Sequence, residues 1–306
     1  MRILIAGEIN VDLVLQNYNS FPALGKEVLV EDMSLTLGSA SAICAAGLAK
    51  LGSKVVFAGK VGHDVWGELA LERMRGLGID LRYVISERSI KTGITVSVTS
   101  AQDRALITYP GSIAALHASD IPDAWLEGCR HLHVSSFYLQ AGLRSGLKGL
   151  LARAHHAGLT TSIDPGFDPS GRWERDILDT LEEADLFFPN EVELEAIGGS
   201  ADVAASLRAL ENGRTRTIAK LGSRGCMLLV DGAPLLIPAM PVTPVDTTGA
   251  GDSFNAGFLH AWLKGRDIVD AARFAVACGA LSTLGLGGTG AQPNEAEALA
   301  FCEVRV

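Results

Sequence analysis

The chain has 306 residues, of which 48% are hydrophobic and 20% are charged, a composition typical of a globular enzyme with a sizeable core. Its formal charge of -9 at pH 7 gives no overall attraction for nucleic acids or anionic membranes. The N-terminus MRILIAGEIN does not resemble a secretory signal, and no run approaches the roughly 18 apolar residues of a membrane span, so we expect a cytoplasmic protein that binds neither nucleic acid nor membrane.

Short apolar runs bounded by turn residues alternate with segments of helical periodicity along most of the chain. The predicted strands are RILIAG, KVVFAGKVG, HLHVSS, LTTSIDP, LFFPN, TRTIAKLG and GCMLLV. The predicted helices are 41–51, 66–76, 142–157, 175–184, 191–197 and 201–211. This alternation predicts an α/β fold in which helices cover both faces of a mostly parallel, doubly wound sheet.

Two segments interrupt this alternation, at about 12–37 and 92–110. The second segment alternates apolar and polar residues on both sides of a turn at Gln102 and Asp103, which predicts a hairpin with one solvated face. Strands of this kind suit a small sheet that projects from the main body. The chain has no internal repeat and no linker, so we expect a single domain that spans residues 1–306 and includes both segments.

The cysteine and glycine patterns exclude several common cofactor sites. Five scattered cysteines without a C-x-x-C pair predict reduced thiols rather than disulfides or a metal cluster. GLGGTG at 285–290 has the G-x-G-x-x-G spacing of a dinucleotide site, but a helical pattern precedes it and a proline-containing segment follows it. Because a dinucleotide site needs a strand before the glycines and a helix after them, we expect a loop here.

The stretch DTTGAGDSFNAGF at 246–258 places small residues and an aspartate at the start of an apolar helical pattern. Unpaired N–H groups at a helix start bind anions, and small residues such as Gly249, Ala250 and Gly251 let a phosphate approach closely. Asp252 has two interpretations. It is either a partner of the helix cap and dipole, or a base that faces a substrate hydroxyl. The spacing supports both interpretations equally.

Six motifs, taken in chain order, resemble those of the ribokinase-like (PfkB) carbohydrate kinases. They are GEINVDLV, GSASAICAAGLAKLG, GKVGHDVWG, FFPNEVELEAI, KLGSRG and DTTGAGDSFNAGF. The resemblance spans nearly the whole chain. It implies a ribokinase-like three-layer α/β/α fold with a doubly wound, mostly parallel sheet and a small projecting β-sheet lid. It also implies a kinase that transfers the γ-phosphoryl group of ATP to a hydroxymethyl group of a carbohydrate.

The resemblance assigns roles in phosphoryl transfer to the residues at the start of the last motif's helix. Asp252 would be the catalytic base that takes the proton of the acceptor hydroxyl. Gly249, Ala250 and Gly251 would form an anion hole together with the amide of Asp252, because phosphoryl transfer depends mainly on positioning and charge stabilisation.

The resemblance also implies sites for the nucleotide and for cations. The nucleotide-binding residues would be Asn190, Lys220, Gly222, Ser223, Gly225 and Gly251. Glu193 would organise Mg²⁺ together with Asn190, partly through water. Asp246 and Thr248 match positions that bind a monovalent cation in many relatives, which leaves a potassium requirement open. Without the resemblance, NEVELE would indicate only an acidic helix start, and KLGSRG would indicate only a tight turn.

The acceptor sugar would be bound by the first two motifs and the lid. The substrate-binding residues implied there are Asn10, Asp12, Gly38, Ser39, Ser41 and Ala42. Arg104, Tyr109 and Tyr138 are further candidate contacts, although a paired surface arginine and partly buried tyrosines explain them equally well. In this family the lid closes over the sugar and often forms a dimer interface, so we expect a homodimer.

Departures from the family pattern leave the acceptor open. Ile43 stands where many relatives have an asparagine, Gly166 also replaces an asparagine, and HLHVSSFYLQ lacks the glutamate of ribokinases. The acceptor could be a pentose, a hexose, a sugar acid or a nucleoside. A nucleoside kinase is disfavoured because only 6% of residues are aromatic. A non-catalytic sugar or nucleotide sensor of the same fold is disfavoured because it would not need Asp252.

Overall fold

The structure is a computed structural model that describes residues 2–16, 23–99 and 104–303. Within these ranges the strands are β1 (Arg2–Ala6), β2 (Asn10–Gln16), β3 (Asp32–Leu37), β4 (Lys54–Gly62), β5 (Asp80–Glu87), β6 (Gly93–Thr99), β7 (Arg104–Tyr109), β8 (His131–Val134), β9 (Thr160–Ile163), β10 (Leu186–Phe187), β11 (Arg216–Lys220), β12 (Cys226–Val230) and β13 (Ala233–Ile237). The helices are α1 (Ala40–Lys50), α2 (Val65–Gly76), α3 (Ala141–Arg144), α4 (Leu147–His156), α5 (Asp176–Leu181), α6 (Glu191–Gly198), α7 (Val203–Ala209), α8 (Ala250–Leu263), α9 (Ile268–Ser282), α10 (Gly287–Gly290) and α11 (Glu295–Glu303).

A large, mostly parallel sheet forms the centre of the molecule. Its strand order is β13-β12-β11-β10-β9-β8-β1-β4-β5, with parallel pairing from β11 to β5 and antiparallel pairing of β12 with both its neighbours. One apolar core, which includes residues of α1, α2, α8 and α9, packs on one face, and a second core, which includes residues of α4 to α7, packs on the other. This arrangement confirms the predicted three-layer α/β/α fold.

A second, four-stranded sheet has the order β3-β2-β6-β7, and we call it the lid. The register pairs Asp12 with Thr95 and Thr95 with Thr108, so these polar residues share one face of the lid. Apolar residues such as Ile94 alternate with them and face the other side. The predicted small sheet is therefore confirmed, while the predicted turn at Gln102 and Asp103 lies outside the described residues.

The structure departs from the predicted elements at a few positions. The predicted helix 142–157 is divided into α3 and α4, because Gly146 leaves the helical conformation with φ -117° and ψ 4°. Strands β5 and β13 were not predicted. The glycine-rich stretch 285–290, expected as a loop, contains the short helix α10.

Buried polar side chains form a hydrogen-bonded chain between β8 and β9. Ser162 Oγ lies 2.7 Å from Nε2 of His131 and 2.6 Å from Nδ1 of His133. The other nitrogens of the two rings contact Thr160 Oγ1 at 2.8 Å and Ser135 Oγ at 2.9 Å. Burial lowers the pKa of His133 to about 4 and that of His131 well below its usual value, so both imidazoles are neutral at pH 7.

Two further predictions concern the oxidation state of the cysteines and membrane-spanning helices. The five cysteines are free thiols, as expected; four of them are buried, and Cys302 is partly exposed. Across the described residues, every helix is too short or too polar to span a bilayer.

Candidate active site

The first turn of α8 forms the centre of the candidate site. Gly249 precedes this helix with a φ of 72°, a left-handed conformation that favours glycine. Ala250, Gly251 and Asp252 follow in the first turn, where backbone N–H groups lack partners within the helix. The structure thus places the three small residues and the aspartate together at a helix start, as the anion-hole prediction requires.

A cavity of about 420 Å³ opens directly beside this helix start. Its lining includes the first turn of α8, the predicted nucleotide turn and a largely apolar wall: Lys220, Gly222, Ser223, Gly225, Ala239, Met240, Pro241, Val242, Pro244, Thr247, Ala250, Gly251, Phe254, Val276, Gly279, Ala280 and Thr283. The two predicted segments, about 30 residues apart in the chain, therefore meet in one cavity. A mostly apolar pocket next to an anion-binding helix start suits a nucleotide.

The nucleotide turn between β11 and β12 depends on its glycines. Gly222 and Gly225 have φ values of 56° and 100°. A Cβ on Gly225 would lie 2.0 Å from the carbonyl oxygen of Ile237, so β13 leaves no room for a side chain. Ser223 is exposed at the tip of the turn. The two glycines therefore allow the tight backbone turn that borders the cavity.

Lys220 forms an ion pair at the edge of the cavity that the sequence did not reveal. Its Nζ lies 2.5 Å from Oδ2 of Asp164, which also accepts a hydrogen bond of 2.6 Å from Nδ2 of Asn255. Asp164 directly follows β9, at the carboxyl end of the parallel sheet where α/β proteins bind ligands. This position, directly after a parallel strand, could have identified Asp164 as a candidate from the sequence.

Burial and charge shift the pKa values of the carboxyl groups around Lys220. Burial raises the pKa of Asp252 well above its usual value, and the negative charge of Asp164 adds to the effect. The same two causes raise the pKa of Glu193 to about 7. Burial would also raise the pKa of Asp164, but the charge and hydrogen bond of Lys220, together with the hydrogen bond from Asn255, outweigh burial and keep this pKa below the usual range. Lys220 therefore neutralises a group of acids that would otherwise repel one another.

Glu193 and Asn190 form the N-terminal capping box of α6. The Asn190 N–H donates to Glu193 Oε2 at 2.8 Å, and the Glu193 N–H donates to Asn190 Oδ1 at 2.9 Å. The described residues contain no cluster of three His, Cys, Asp or Glu side chains that would enclose a metal. Glu193 still offers a buried carboxylate near Asp164, and a magnesium ion that keeps most of its waters needs only one or two such ligands. The residues therefore fit Mg²⁺.

Asp246 organises the loop before α8. One carboxylate oxygen accepts the Thr248 N–H at 2.8 Å, and the other accepts the Gly287 N–H at 2.8 Å. The aspartate thus joins this loop to α10, a connection that the spacing of the two motifs did not predict. The structure thus places Asp246 and Thr248, the two residues suggested for a monovalent cation, next to each other in this loop.

Three predicted acceptor residues come together where β2 enters the lid. Nδ2 of Asn10 donates to Oδ1 of Asp12 at 3.0 Å and to Oγ1 of Thr95 at 3.1 Å. A Cβ on Gly38 would lie 2.1 Å from Oδ1 of Asp12, so both side chains lie against the backbone of Gly38. The structure therefore assembles a polar group from the first two motifs, and it adds Thr95, which the sequence did not indicate.

The predicted contacts Ser41 and Ala42 are both fully buried in the structure. The Ser41 hydroxyl lies 2.5 Å from Oε2 of Glu8, and the Ala42 N–H donates to the Ser39 Oγ at 3.0 Å. Glu8 also accepts a hydrogen bond of 2.8 Å from the Ser136 hydroxyl. These hydrogen bonds show that Ser41 and Ala42 support the start of α1.

The remaining candidate contacts of the acceptor are Tyr138, Tyr109 and Arg104. Tyr138 is 6% exposed and its hydroxyl donates to the Glu174 carbonyl oxygen, so its contacts are those of a core side chain and not of an acceptor site. Tyr109 pairs with Ile94 on the apolar face of the lid, opposite the face of Thr108. The side chain of Arg104 lies outside the described part of the chain.

Comparisons with known proteins show what the whole chain is similar to. The profile of the pfkB family carbohydrate kinases matches residues 2–295. The chain is 30% identical to an ATP-dependent ribose-1-phosphate kinase from Halopiger xanaduensis, over 100% of this chain and 99% of that protein. The structure superimposes on a ribokinase from Thermotoga maritima with a TM-score of 0.84 and 27% identity, covering 98% and 99% of the two chains. It also matches a double mutant of fructokinase from Vibrio cholerae O395, solved with fructose, ADP and potassium, with a TM-score of 0.81, 26% identity and 98% coverage of each.

Proposed function

Because the chain belongs to the pfkB family of carbohydrate kinases and is an ATP-dependent sugar kinase, we propose that Asp252 is its catalytic base and that the acceptor is an uncharged sugar. The observation that carries the proposal is the position of Asp252. It lies in the first turn of a helix whose small residues border the cavity beside the nucleotide turn. Asp252 is not the N-cap residue of this helix, because Gly249 occupies that position.

The proposed reaction is a direct transfer of the γ-phosphoryl group. The acceptor oxygen forms a bond to phosphorus while the bond from phosphorus to the bridging oxygen of ADP breaks. The proton of the acceptor hydroxyl passes to the carboxylate of Asp252, and ADP leaves with the electron pair of the broken bond. The backbone N–H groups of Gly249 to Asp252 bind the transferred group, so charge is stabilised without rearrangement of the site.

ATP, Mg²⁺ and K⁺ are the proposed cofactors of this site. The base and ribose of ATP would occupy the cavity, with Ser223 and the adjoining glycines against the nucleotide and Lys220 near its phosphates. Glu193, together with Asn190, would hold Mg²⁺ partly through water, where the ion supplies neutralisation of phosphate charge. Asp246 and Thr248 would hold K⁺ beside the anion hole.

The charge of the site supports an uncharged acceptor. Asp12 and Asp164 are acidic, and the ammonium group of Lys220 is already paired with Asp164. A sugar acid or sugar phosphate would bring a further negative charge next to these carboxylates. A pentose or hexose would instead offer hydroxyl groups to Asn10 and Asp12.

Exposed apolar residues on the lid support the proposed homodimer. Met33, Ile107 and Tyr109 are 60%, 57% and 52% exposed, and they lie on the lid face that does not carry Thr95. An exposed apolar patch on a sheet is typical of an association surface. The variant Ile107→Asp should therefore give a monomer by light scattering after gel filtration. Leu236→Asp is the matched control, because Leu236 is 48% exposed on β13, away from the lid.

A coupled assay of ADP release tests the kinase and its acceptor class. The purified protein, with Mg²⁺ and K⁺, would be given ATP and D-ribose, 2-deoxy-D-ribose, D-fructose, 2-keto-3-deoxygluconate, ribose 1-phosphate or adenosine. We expect a neutral sugar to give the highest kcat/KM. A preference for ribose 1-phosphate or the sugar acid would overturn the uncharged acceptor, and a preference for adenosine would make the protein a nucleoside kinase.

The variant Asp252→Asn tests the role of the base. We expect kcat to fall by at least about 1,000-fold while binding of the non-hydrolysable analogue AMP-PNP, measured by calorimetry, stays within about threefold. Equal turnover by the variant and the wild type, with unchanged ligand binding, would favour a non-catalytic sensor instead.

A further inference from the structure

Ile43, which replaces a polar residue of the family pattern, contacts the anion hole through the glycine-rich stretch. We propose that Ile43 is a positioning residue, which together with Gly288 fixes the place of Gly249 and thereby sets the rate of phosphoryl transfer. This inference rests on the proposed anion hole. It assigns a purpose to two sequence features, the isoleucine and the GLGGTG stretch, that the proposed reaction does not use.

Three segments distant in the chain meet at this point. A Cβ on Gly249 would lie 2.7 Å from the Cα of Gly288 and 2.9 Å from Cγ2 of Ile43. A Cβ on Gly288 would lie 2.4 Å from Cδ1 and 2.9 Å from Cγ1 of Ile43. Gly249 and Gly288 therefore pack backbone against backbone, and the side chain of Ile43 fills the remaining space beside both.

Ile43 is held rigidly enough to act as a fixed support. It is 3% exposed, and a β-branched side chain in a helix has essentially one χ1 rotamer. Its carbonyl oxygen accepts a hydrogen bond of 2.9 Å from Nε2 of Gln292, which also donates to the Ser253 hydroxyl in the first turns of α8. The side chain of Lys50 donates to the carbonyl oxygens of Thr289 and Gln292. The start of α1, the glycine-rich stretch and the start of α8 are thus joined around Ile43.

This packing gives Ile43 a role different from that of a sugar contact. Its side chain is directed at Gly288 and Gly249 and is closed off from solvent. A displacement of Gly249 by even a fraction of an ångström would move the amides that follow it, and a misplacement of about 1 Å at a catalytic site can cost about 100-fold in rate. The contact should therefore affect kcat more than the KM of either substrate.

A cycle of size-changing variants tests the proposal. Gly288→Ala adds a methyl group that collides with Ile43, and Ile43→Ala removes the obstacle, so the double variant should fit again. Gly290→Ala is the matched control, because a Cβ on Gly290, in the same short helix, meets no atom within 4 Å. Each protein would be assayed with ATP and D-ribose, or with D-fructose if the wild type turns that sugar over faster, and its thermal unfolding would be recorded.

We expect kcat of Gly288→Ala to fall at least about tenfold, with the KM of each substrate within about threefold of wild type. The double variant should recover most of that loss, and Gly290→Ala should match the wild type. The proposal is overturned if Gly288→Ala behaves like Gly290→Ala, if the double variant recovers nothing, or if the loss lies in the KM of the sugar.

The thermal measurement keeps the proposal separate from the proposed function. If the wild type phosphorylated no sugar, the proposed function would fail, but the contact would still predict a lower unfolding midpoint for Gly288→Ala and recovery in the double variant. If the wild type is active and the midpoints follow this pattern while kcat does not change, the contact exists but does not position the anion hole, and the inference is wrong.

Discussion

The ammonium group of Lys220 lies 2.5 Å from the carboxylate of Asp164, and the two side chains are only 13% and 6% exposed. The sequence places them 56 residues apart, at the ends of two different strands. Attraction to Glu193 and Asp252 adds to that of Asp164 in raising the pKa of Lys220, although burial opposes the shift. This single cation therefore controls the electrostatic balance among the candidate site's acids.

Replacement of Lys220 by an uncharged residue should destabilise the folded protein and slow the reaction. Lys220→Met leaves Asp164 buried without its ion-pair partner, and breaking a buried pair in this way costs about 3–5 kcal/mol. We expect urea unfolding to show a loss of that order, and kcat to fall because Asp252 and Glu193 lose their neutralising charge.

The double variant Lys220→Met/Asp164→Asn is the control for that interpretation. It removes both charges and keeps a polar partner for Asn255, so it should regain part of the stability lost in Lys220→Met. A double variant as unstable as the single one would show that packing of the lysine stem, rather than its charge, matters.

Neutralising Asp252 should stabilise the folded protein. Burial raises the pKa of this carboxyl in the folded state, so its ionisation costs stability at every pH above the usual aspartate value. At pH 8, without ligands, Asp252→Asn should therefore unfold at a higher temperature than the wild type. The difference should shrink as the pH falls below about 4, because the unfolded chain then binds the same proton as the folded protein. An unfolding midpoint below that of the wild type at pH 8 would contradict this.

Glu8 should matter for the acceptor rather than the nucleotide. Glu8→Ala leaves the hydroxyls of Ser41 and Ser136 without their carboxylate partner in the interior, which costs about 1–3 kcal/mol per group. Because Ser41 lies at the start of α1, next to Gly38 and Ser39, we expect the KM of the sugar to rise while that of ATP changes little. Glu8→Gln keeps an oxygen acceptor and should remain close to wild type, and equal loss in both variants would contradict the hydrogen-bonding role.

Ser162 should stabilise the sheet far more than an exposed serine would. Its hydroxyl contacts both His131 and His133, so Ser162→Ala leaves one nitrogen of each buried ring without a partner. We expect a loss of about 2–4 kcal/mol in the free energy of unfolding, measured in urea at pH 8. Ser119→Ala, at an exposed position, would show whether that loss is specific to the interior. A loss below about 1 kcal/mol for Ser162→Ala would contradict the assignment.

The same histidines predict a loss of stability in acid. His133 has a pKa of about 4 in the folded protein against about 6.5 in an unfolded chain. Above pH 6.5 both imidazoles are neutral in the folded and the unfolded state, so they do not change the free energy of unfolding. Below pH 6.5 the unfolded chain binds protons that the folded protein does not, so the free energy of unfolding falls as the pH drops towards 4. His133→Gln should weaken this pH dependence in urea titrations at pH 8, 6 and 5, whereas His156→Gln, at an exposed position, should not.

Local patterns in the sequence were sufficient for most of the fold. Helices α1, α2 and α6 begin and end within one or two residues of the prediction, because apolar periodicity and capping residues are local signals. Strand β5 was missed since DLRYVISE mixes charged and apolar residues and its pairing with β4 contains an irregular register. Such pairing depends on a partner elsewhere in the chain, which no local pattern contains.

The same distinction applies to the candidate site. The helix start at Gly249 to Asp252 and the turn at Gly222 to Gly225 were identified as contiguous motifs, and the structure places them in one cavity. The ion pair of Lys220 with Asp164 joins distant segments, so motif spacing could not reveal it. Ser41 was assigned to the sugar by its position in a motif, but its burial follows from the packing of Glu8 against it, which is a three-dimensional property.

The packing of α1 against α8 has a consequence for the synthesis of the protein. Every residue from 41 to 48 in α1 is buried in the finished structure, and α8, which packs on that helix, begins about 200 residues later. A nascent chain therefore carries an uncovered apolar helix until its C-terminal quarter has left the ribosome. Fragments truncated between residues 238 and 250 should for this reason bind chaperones and aggregate, even though they contain all nine strands of the large sheet.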